Sequence, residues 1–235
     1  MNNTNNFSAR EGYMKARQIF INAWLGSFGG DLEKTANYVD GLKLSQNEIR
    51  LEVNLTTTNT QFKFGLTPNQ QNTTNVQFLT ENRLQMQDSM VANEYGIYIA
   101  QTTGNNDAAY PLRTYPNTQD FAAADAAALQ STFYSNGAFR MTCNNDVIMP
   151  YRGLFNHLYR PQTQQTAALG AGSPADQIRG SEDGMITLEP NILLIGSKGY
   201  VPEIVLPAAL ASAAANLRCI LIFRGILAQN STSVS

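Results

Sequence analysis

The sequence predicts a mainly β chain folded as two similar barrels in tandem, each clamped by one helix. Three observations predict it. The alanine-rich segment Phe121–Tyr134, FAAADAAALQSTFY, reads as a short helix, and Leu206–Leu217, LPAALASAAANL, echoes it. Each lies between extended apolar runs: Asn93–Gln101 and Ala138–Cys143 flank the first, Gly199–Pro207 and Arg218–Ala228 the second. The rest of the chain is written in short runs with turn residues at near-regular spacing, as in a sandwich or barrel.

The strand count sets the number of barrels. Eight strands make one jelly roll and about sixteen make two. Between Gly41 and Ala228 two rolls leave about twelve residues for each strand and its loop, which short strands and tight hairpins allow. The repeated strand–helix–strand favours two jelly-roll barrels; a single jelly roll with insertions is the alternative. The expected division is an arm and amphipathic helix over 1–40, a first barrel over 41–136 and a second over 137–235.

Residues 1–8 are polar and expected to be mobile. Arg10–Phe28 reads as an amphipathic helix: Tyr13, Ala16, Phe20, Trp24 and Phe28 recur at three- and four-residue intervals. Arg10, Lys15 and Arg17 sit in its first half, and Gly26, Gly29 and Gly30 end it. Two placements stay open. The helix either packs across one end of its own barrel or lies on a neighbouring subunit or an anionic membrane. On the second placement Arg10, Lys15, Arg17, Phe20 and Trp24 are the contact residues.

Asp31–Gly41 adds a helical turn or two. Ile49, Leu51, Val53 and Leu55 then alternate with polar residues, the period of a half-buried strand. Phe62, Phe64 and Leu66 repeat the pattern, and Val76–Leu79, Arg83–Met86 and Tyr95–Ala100 read as further strands. Asp120 is the expected N-cap of the first alanine helix. After it, Phe139–Cys143, Val147–Met149, Met185–Leu188, Ile192–Ile195 and Val201–Leu206 are strands, with Pro202 marking an edge or bulge. Cys219–Phe223 is continuously apolar, as a strand buried on both faces requires. Arg224-Gly225 is a candidate break, and the tail Gln229–Ser235 is expected to fray. Pro161–Asp183, rich in Gln, Ala, Gly and Ser, reads as a long loop that touches a neighbouring subunit.

Composition narrows the function. Charged residues are 14% of the chain, and net charge is −2. That gives no global attraction to nucleic acid, so no sequence-specific nucleic-acid partner is expected. A surface built from Asn, Gln and Thr meets other protein with fewer ionic groups to desolvate. No leader with an apolar stretch opens the sequence, and no apolar run has the length of a membrane span. Cys143 and Cys219 lie in different extended runs and read as buried thiols, with a disulfide between them as the alternative.

Catalytic chemistry finds little support. The single histidine, His157, has no flanking acid or thiol pattern, so it reads as a loop or interface residue. One histidine and two cysteines, widely spaced, do not make a zinc site. Gly196-Ser197-Lys198-Gly199 is a turn, not a phosphate loop. Glu48 with Glu52, and Glu182-Asp183, are the candidate carboxylate pairs, and Tyr151-Arg152 with Tyr159-Arg160 the candidate stacking pairs for single strands. The expectation is no enzyme activity and no cofactor or metal.

The short-stranded barrels around Phe121–Tyr134 and Leu206–Leu217, with the amphipathic N-terminal helix, resemble the double jelly-roll major capsid proteins of tailless icosahedral phages and viruses with an internal membrane. The resemblance implies a structural virion protein, made in the host cytoplasm and resident in the capsid. It implies a pseudo-hexagonal homotrimer that tiles a shell, meeting neighbouring capsomers, minor or penton proteins and the membrane. A closed trimer hides sheet edges that would otherwise pair without control. A single-jelly-roll decoration or receptor-binding protein, or a β-sandwich enzyme acting on carbohydrate, are the other readings.

Overall fold

A computed structural model of the chain describes residues 4–70, 78–102, 104, 110–118, 120–158 and 184–231, with side chains from residue 10. Among these the chain is mainly β. Eight strands form two antiparallel sheets: β1 (Leu44–Asn54), β2 (Gln61–Lys63), β3 (Ser89–Gln101), β4 (Ala138–Cys143), β5 (Asp146–Gly153), β6 (Met185–Ile195), β7 (Tyr200–Val205) and β8 (Leu217–Ala228). One sheet runs β1-β8-β3-β6 and the other β2-β7-β4-β5, the strand order of one jelly roll.

This corrects the expectation of two barrels divided at residue 136. β1 pairs along its whole length with β8, and β2 pairs with β7, so the ends of the chain are interleaved within both sheets. Neither half can close a core without the other. The alternative, one roll with insertions, is the arrangement among the described residues.

The echo that favoured two barrels fails at its second copy. Phe121–Tyr134 does turn helically, as α3 (Ala123–Ala128) continued by a π-helical stretch, Leu129–Tyr134. Leu206–Leu217 does not. That segment carries the chain from one sheet to the other, and its carbonyls are taken by partners outside it. Gln101 donates to the Ala215 carbonyl, Thr102 donates to that of Asn216, and Ser212 Oγ–H donates to the buried Asp125 carboxylate at 2.5 Å. Alanine propensity is a weak prior beside such tertiary demands. Asp120 is not the cap of α3 either: Ala122 holds that position without a side-chain bond, and Asp120 accepts from Arg113 and Asn117 instead.

The two sheets enclose a filled core. Leu51 and Phe223 from one sheet meet Phe62, Phe139 and Ile204 from the other, and Phe121, Leu129 and Phe133 close one end. β3 keeps its core face through a bulge at Asn93, where the register to both neighbours shifts. The extra residue switches the alternation, so Met90 and Ala92 before it and Tyr95, Ile97 and Ile99 after it all point inward. Gly225 lies opposite, and a Cβ there would stand 1.9 Å from the Val91 carbonyl oxygen. Arg224-Gly225 therefore does not break β8 but lets it pass the bulge.

Other expectations resolve locally. Leu217–Phe223 is buried without interruption, since β8 lies inside its sheet with both faces covered. Pro202 sits in an inner strand, not at an edge; its carbonyl accepts from Phe64 N, just past the end of β2, so its missing N–H faces no ladder partner. Residues 83–86 form no strand, and segment 78–84 instead seals the open side of β1, with Arg50 and Asn82 exchanging backbone bonds at 2.9 and 2.8 Å. Met185–Leu188 and Ile192–Ile195 are one strand, β6, through a cis Glu189-Pro190 bond. Gln229–Ser231 is tied down, with Asn230 N–H donating to Asp88 and Tyr38 O–H to the Ser231 carbonyl. The helix expected from Arg10 begins earlier, at Thr4. Of the expected strand at 76–79, the first two residues lie outside the described ones and Phe78 and Leu79 form no strand; the loop Pro161–Asp183 lies wholly outside them.

Candidate assembly surfaces

The two sheets present their outer faces differently. The outer face of β1-β8-β3-β6 is covered at both ends. At one end lie α1 (Thr4–Trp24) and α2 (Leu32–Gly41), whose Ala16, Phe20, Ile21 and Val39 pack on Val91 and Ala228. Asp31 caps α2 by accepting from Lys34 N at 3.0 Å, and Gly29, with φ of 65°, closes the turn that joins the helices. This is the first of the two placements: the helix lies on its own sheet.

The expected contact residues divide accordingly. Phe20 is 0% exposed and belongs to the intrachain core, which corrects its assignment to a membrane or inner-shell surface. Burial of such a ring contributes about 1.5–3 kcal/mol, which turning it outward would forfeit. Trp24 is half-buried in the same cluster. Arg17 makes a two-pronged ion pair with Asp40 at 2.6 and 2.7 Å, joining α1 to α2; the pair holds the Asp40 carboxyl below its usual range. Lys15 pairs with Glu11 at 2.9 Å on the outward side, where Arg10, Tyr13 and Met14 are also exposed.

At the other end a polar network staples the connecting segments onto the sheet. Glu52 and Arg218 are both fully buried and lie 3.1 Å apart. The Glu52 carboxylate also accepts from Arg50 Nε at 2.9 Å and from the Thr80 and Tyr110 hydroxyls. The Arg218 guanidinium donates to the Gly104 carbonyl at 2.6 Å and lies 4.2 Å from the Phe78 ring centre and 5.2 Å from that of Tyr110. Glu81 accepts from Glu52 N–H, Phe78 N–H and Arg83. Sequence reasoning missed this network. Its one signal was an arginine opening the apolar run RCILIF.

The outer face of β2-β7-β4-β5 carries none of these covers among the described residues. Its register places Lys63, Glu203 and Arg140 side by side on successive strands. Arg140 bonds Glu203 and stacks 4.9 Å over the Tyr151 ring. Beside that row stand Val201, Thr142 and Val147. Val147 and Tyr151 are 60% and 57% exposed, and Phe155, in the 3-10 turn after β5, is 64% exposed. Among the described residues this face is low in net charge and studded with exposed apolar groups.

The candidate residues for chemistry are scattered. Glu52 is spent in the network, while Glu48 lies 3.8 Å from Arg224 and lines a polar cleft of about 190 Å³ with Asn82, Asp88 and Gln229. His157 is buried at the opposite sheet, against Tyr95. Among the described residues no three His, Cys, Asp or Glu side chains gather as metal ligands. Cys143 and Cys219 are free thiols; burial pushes the Cys219 thiol far above its ordinary value, and Cys143 is partly exposed. Tyr151 stacks on Arg140, and Tyr159-Arg160 and Glu182-Asp183 lie outside the described residues. No described helix is long and apolar enough to cross a membrane. Comparison with protein-family models, with curated proteins and with solved structures finds no match.

Proposed function

We propose that this chain is a structural virion protein: a jelly-roll coat subunit whose copies pack side by side into a capsid. The observation that carries the reading is the asymmetry of one solid sandwich. Its interior is filled with side chains, and α1, α2 and the segments stapled by the Glu52–Arg218 network are laid on one sheet. Among the described residues the other sheet keeps an uncovered outer face with exposed Val147 and Tyr151. Such a body, with its described core filled by side chains, offers lateral surfaces suited to a shell tile. Low charge lowers the desolvation cost where copies meet.

The proposal differs from the resemblance in one respect. A trimer of one-roll chains presents three rolls rather than six, so the pseudo-hexagonal outline is not carried forward. Ala16, Phe20 and Ile21 of the N-terminal helix are committed to its own sheet, so the membrane is not carried into the reading.

Sedimentation velocity and electron microscopy of the full chain over a concentration series test it. The expected result is discrete oligomers growing into closed particles. Tyr151→Lys should block that growth while leaving the melting temperature unchanged, since Tyr151 is an exposed edge-strand residue. A monomer at every concentration would refute the coat reading, and one that coats a finished particle or binds a glycan would favour the decoration or receptor-binding alternative.

A further inference from the structure

We propose that the turn Leu154–His157 is an acid-released latch: protonation of the sealed His157 imidazole beside Arg152 expels the turn from the end of the sandwich. This stands apart from the coat reading and needs no assembly to be tested.

The turn follows β5 directly and plugs the core with Leu154, which is fully buried; its N–H donates to the Gly137 carbonyl at 2.9 Å. Gly137 is required there, because a Cβ would stand 2.8 Å from Leu154 Cδ1 and 2.3 Å from the Phe133 carbonyl oxygen. The second plug is His157, 2% exposed. Its ring meets Tyr95 edge-on at 4.9 Å, and Tyr95 in turn stacks on Phe139 and Phe223 in the core. Neither ring nitrogen has a hydrogen-bond partner among the described residues.

That site tolerates a neutral ring and rejects a cation. A buried imidazolium needs acceptors for two N–H groups, and neither nitrogen has one. The elements packed on the turn supply Tyr95 from β3 and Tyr134 from the π-helical stretch, both buried, while β5 supplies Arg152. Arg152 reaches the Tyr95 hydroxyl, so a second positive charge would arise next to the first. Burial first, then Arg152, lowers the imidazole from its ordinary 6.5 to about 4.

The direction follows. The closed turn holds the group's pKa below that of the open turn, so opening gains nothing above the ordinary histidine range. As pH falls from 6.5 to about 4, opening becomes favoured by up to ~300-fold, and the effect then levels off.

His157 is the chain's single histidine, so its proton NMR titration is read without assignment. The expected midpoint lies well below the ordinary value. Amide exchange of Leu154–Leu158, corrected for intrinsic rates, should rise between neutral pH and about pH 4.5 in the wild type and stay flat in His157→Phe, whose ring cannot charge. A titration midpoint near 6.5, or the same rise in both proteins, would overturn the latch. If His157→Phe does not fold, the wild-type titration still decides.

Discussion

Replacing Glu52 with Gln removes one charge from a pair that is wholly out of water. The side chains of Glu52 and Arg218 are both 0% exposed and meet at 3.1 Å. Breaking such a pair from one side costs about 3–5 kcal/mol, because the remaining ion stays buried without its counter-charge. Here the remaining ion is Arg218. Its contacts with the Phe78 and Tyr110 rings and with the Gly104 carbonyl persist, and ring contacts at desolvated sites return up to about 2 kcal/mol. The expected loss therefore sits near the lower end, about 3 kcal/mol. Arg50 loses the same partner, but at 22% exposure it can turn to water. For a chain of this size that loss lowers the melting temperature by about 6–12 °C. Urea unfolding of Glu52→Gln, with an unchanged slope, measures it. The double variant Glu52→Gln, Arg218→Met should lose less than the sum of the single variants. A single-variant loss below about 1 kcal/mol, or strict additivity, would refute the reasoning.

Leu129→Ala should cost about 2–5 kcal/mol, read as a fall in the urea midpoint, because Leu129 is fully buried at the closed end of the core. Gly225→Ala should cost about 3 kcal/mol, since the added methyl meets Val91 backbone at the bulge and neither strand can retreat; an unchanged melting curve would count against that contact. A thiol reagent under native conditions should label one cysteine, the partly exposed Cys143, and should reach Cys219 only after unfolding. Two fast labels, or none, would contradict those placements. Phe20→Ala should lower stability by about 3–5 kcal/mol and expose an apolar patch on the sheet; a neutral result would return the helix to an outward-facing role.

Much of the local structure was legible because it is a matter of period. Ile49, Leu51 and Val53 alternate, and they line the core face of β1. Cys219–Phe223 is uniformly apolar, and β8 is buried on both faces. Tyr13, Ala16 and Phe20 recur at helical spacing, and α1 forms. The site was less legible. Glu203 lies 63 positions from Arg140 and joins the Arg140–Tyr151 pair of the β4–β5 hairpin only through the register of three strands.

By itself the sequence determined the type of most elements, since hydrophobic period and turn residues act within a few positions. What it left undetermined is how many bodies those elements build. A strand carries no mark of its partner, and a similar strand–helix–strand pattern can precede or follow any sheet. Only the tertiary structure decided that β1 closes on β8, more than a hundred residues away, making one roll from strands that composition divides into two. The same long-range closure decided that the second alanine run crosses between sheets instead of coiling. Its carbonyls were claimed by Gln101 and Thr102 of the opposite strand end, and tertiary bonds of that kind outweigh a propensity of at most about 1 kcal/mol per residue.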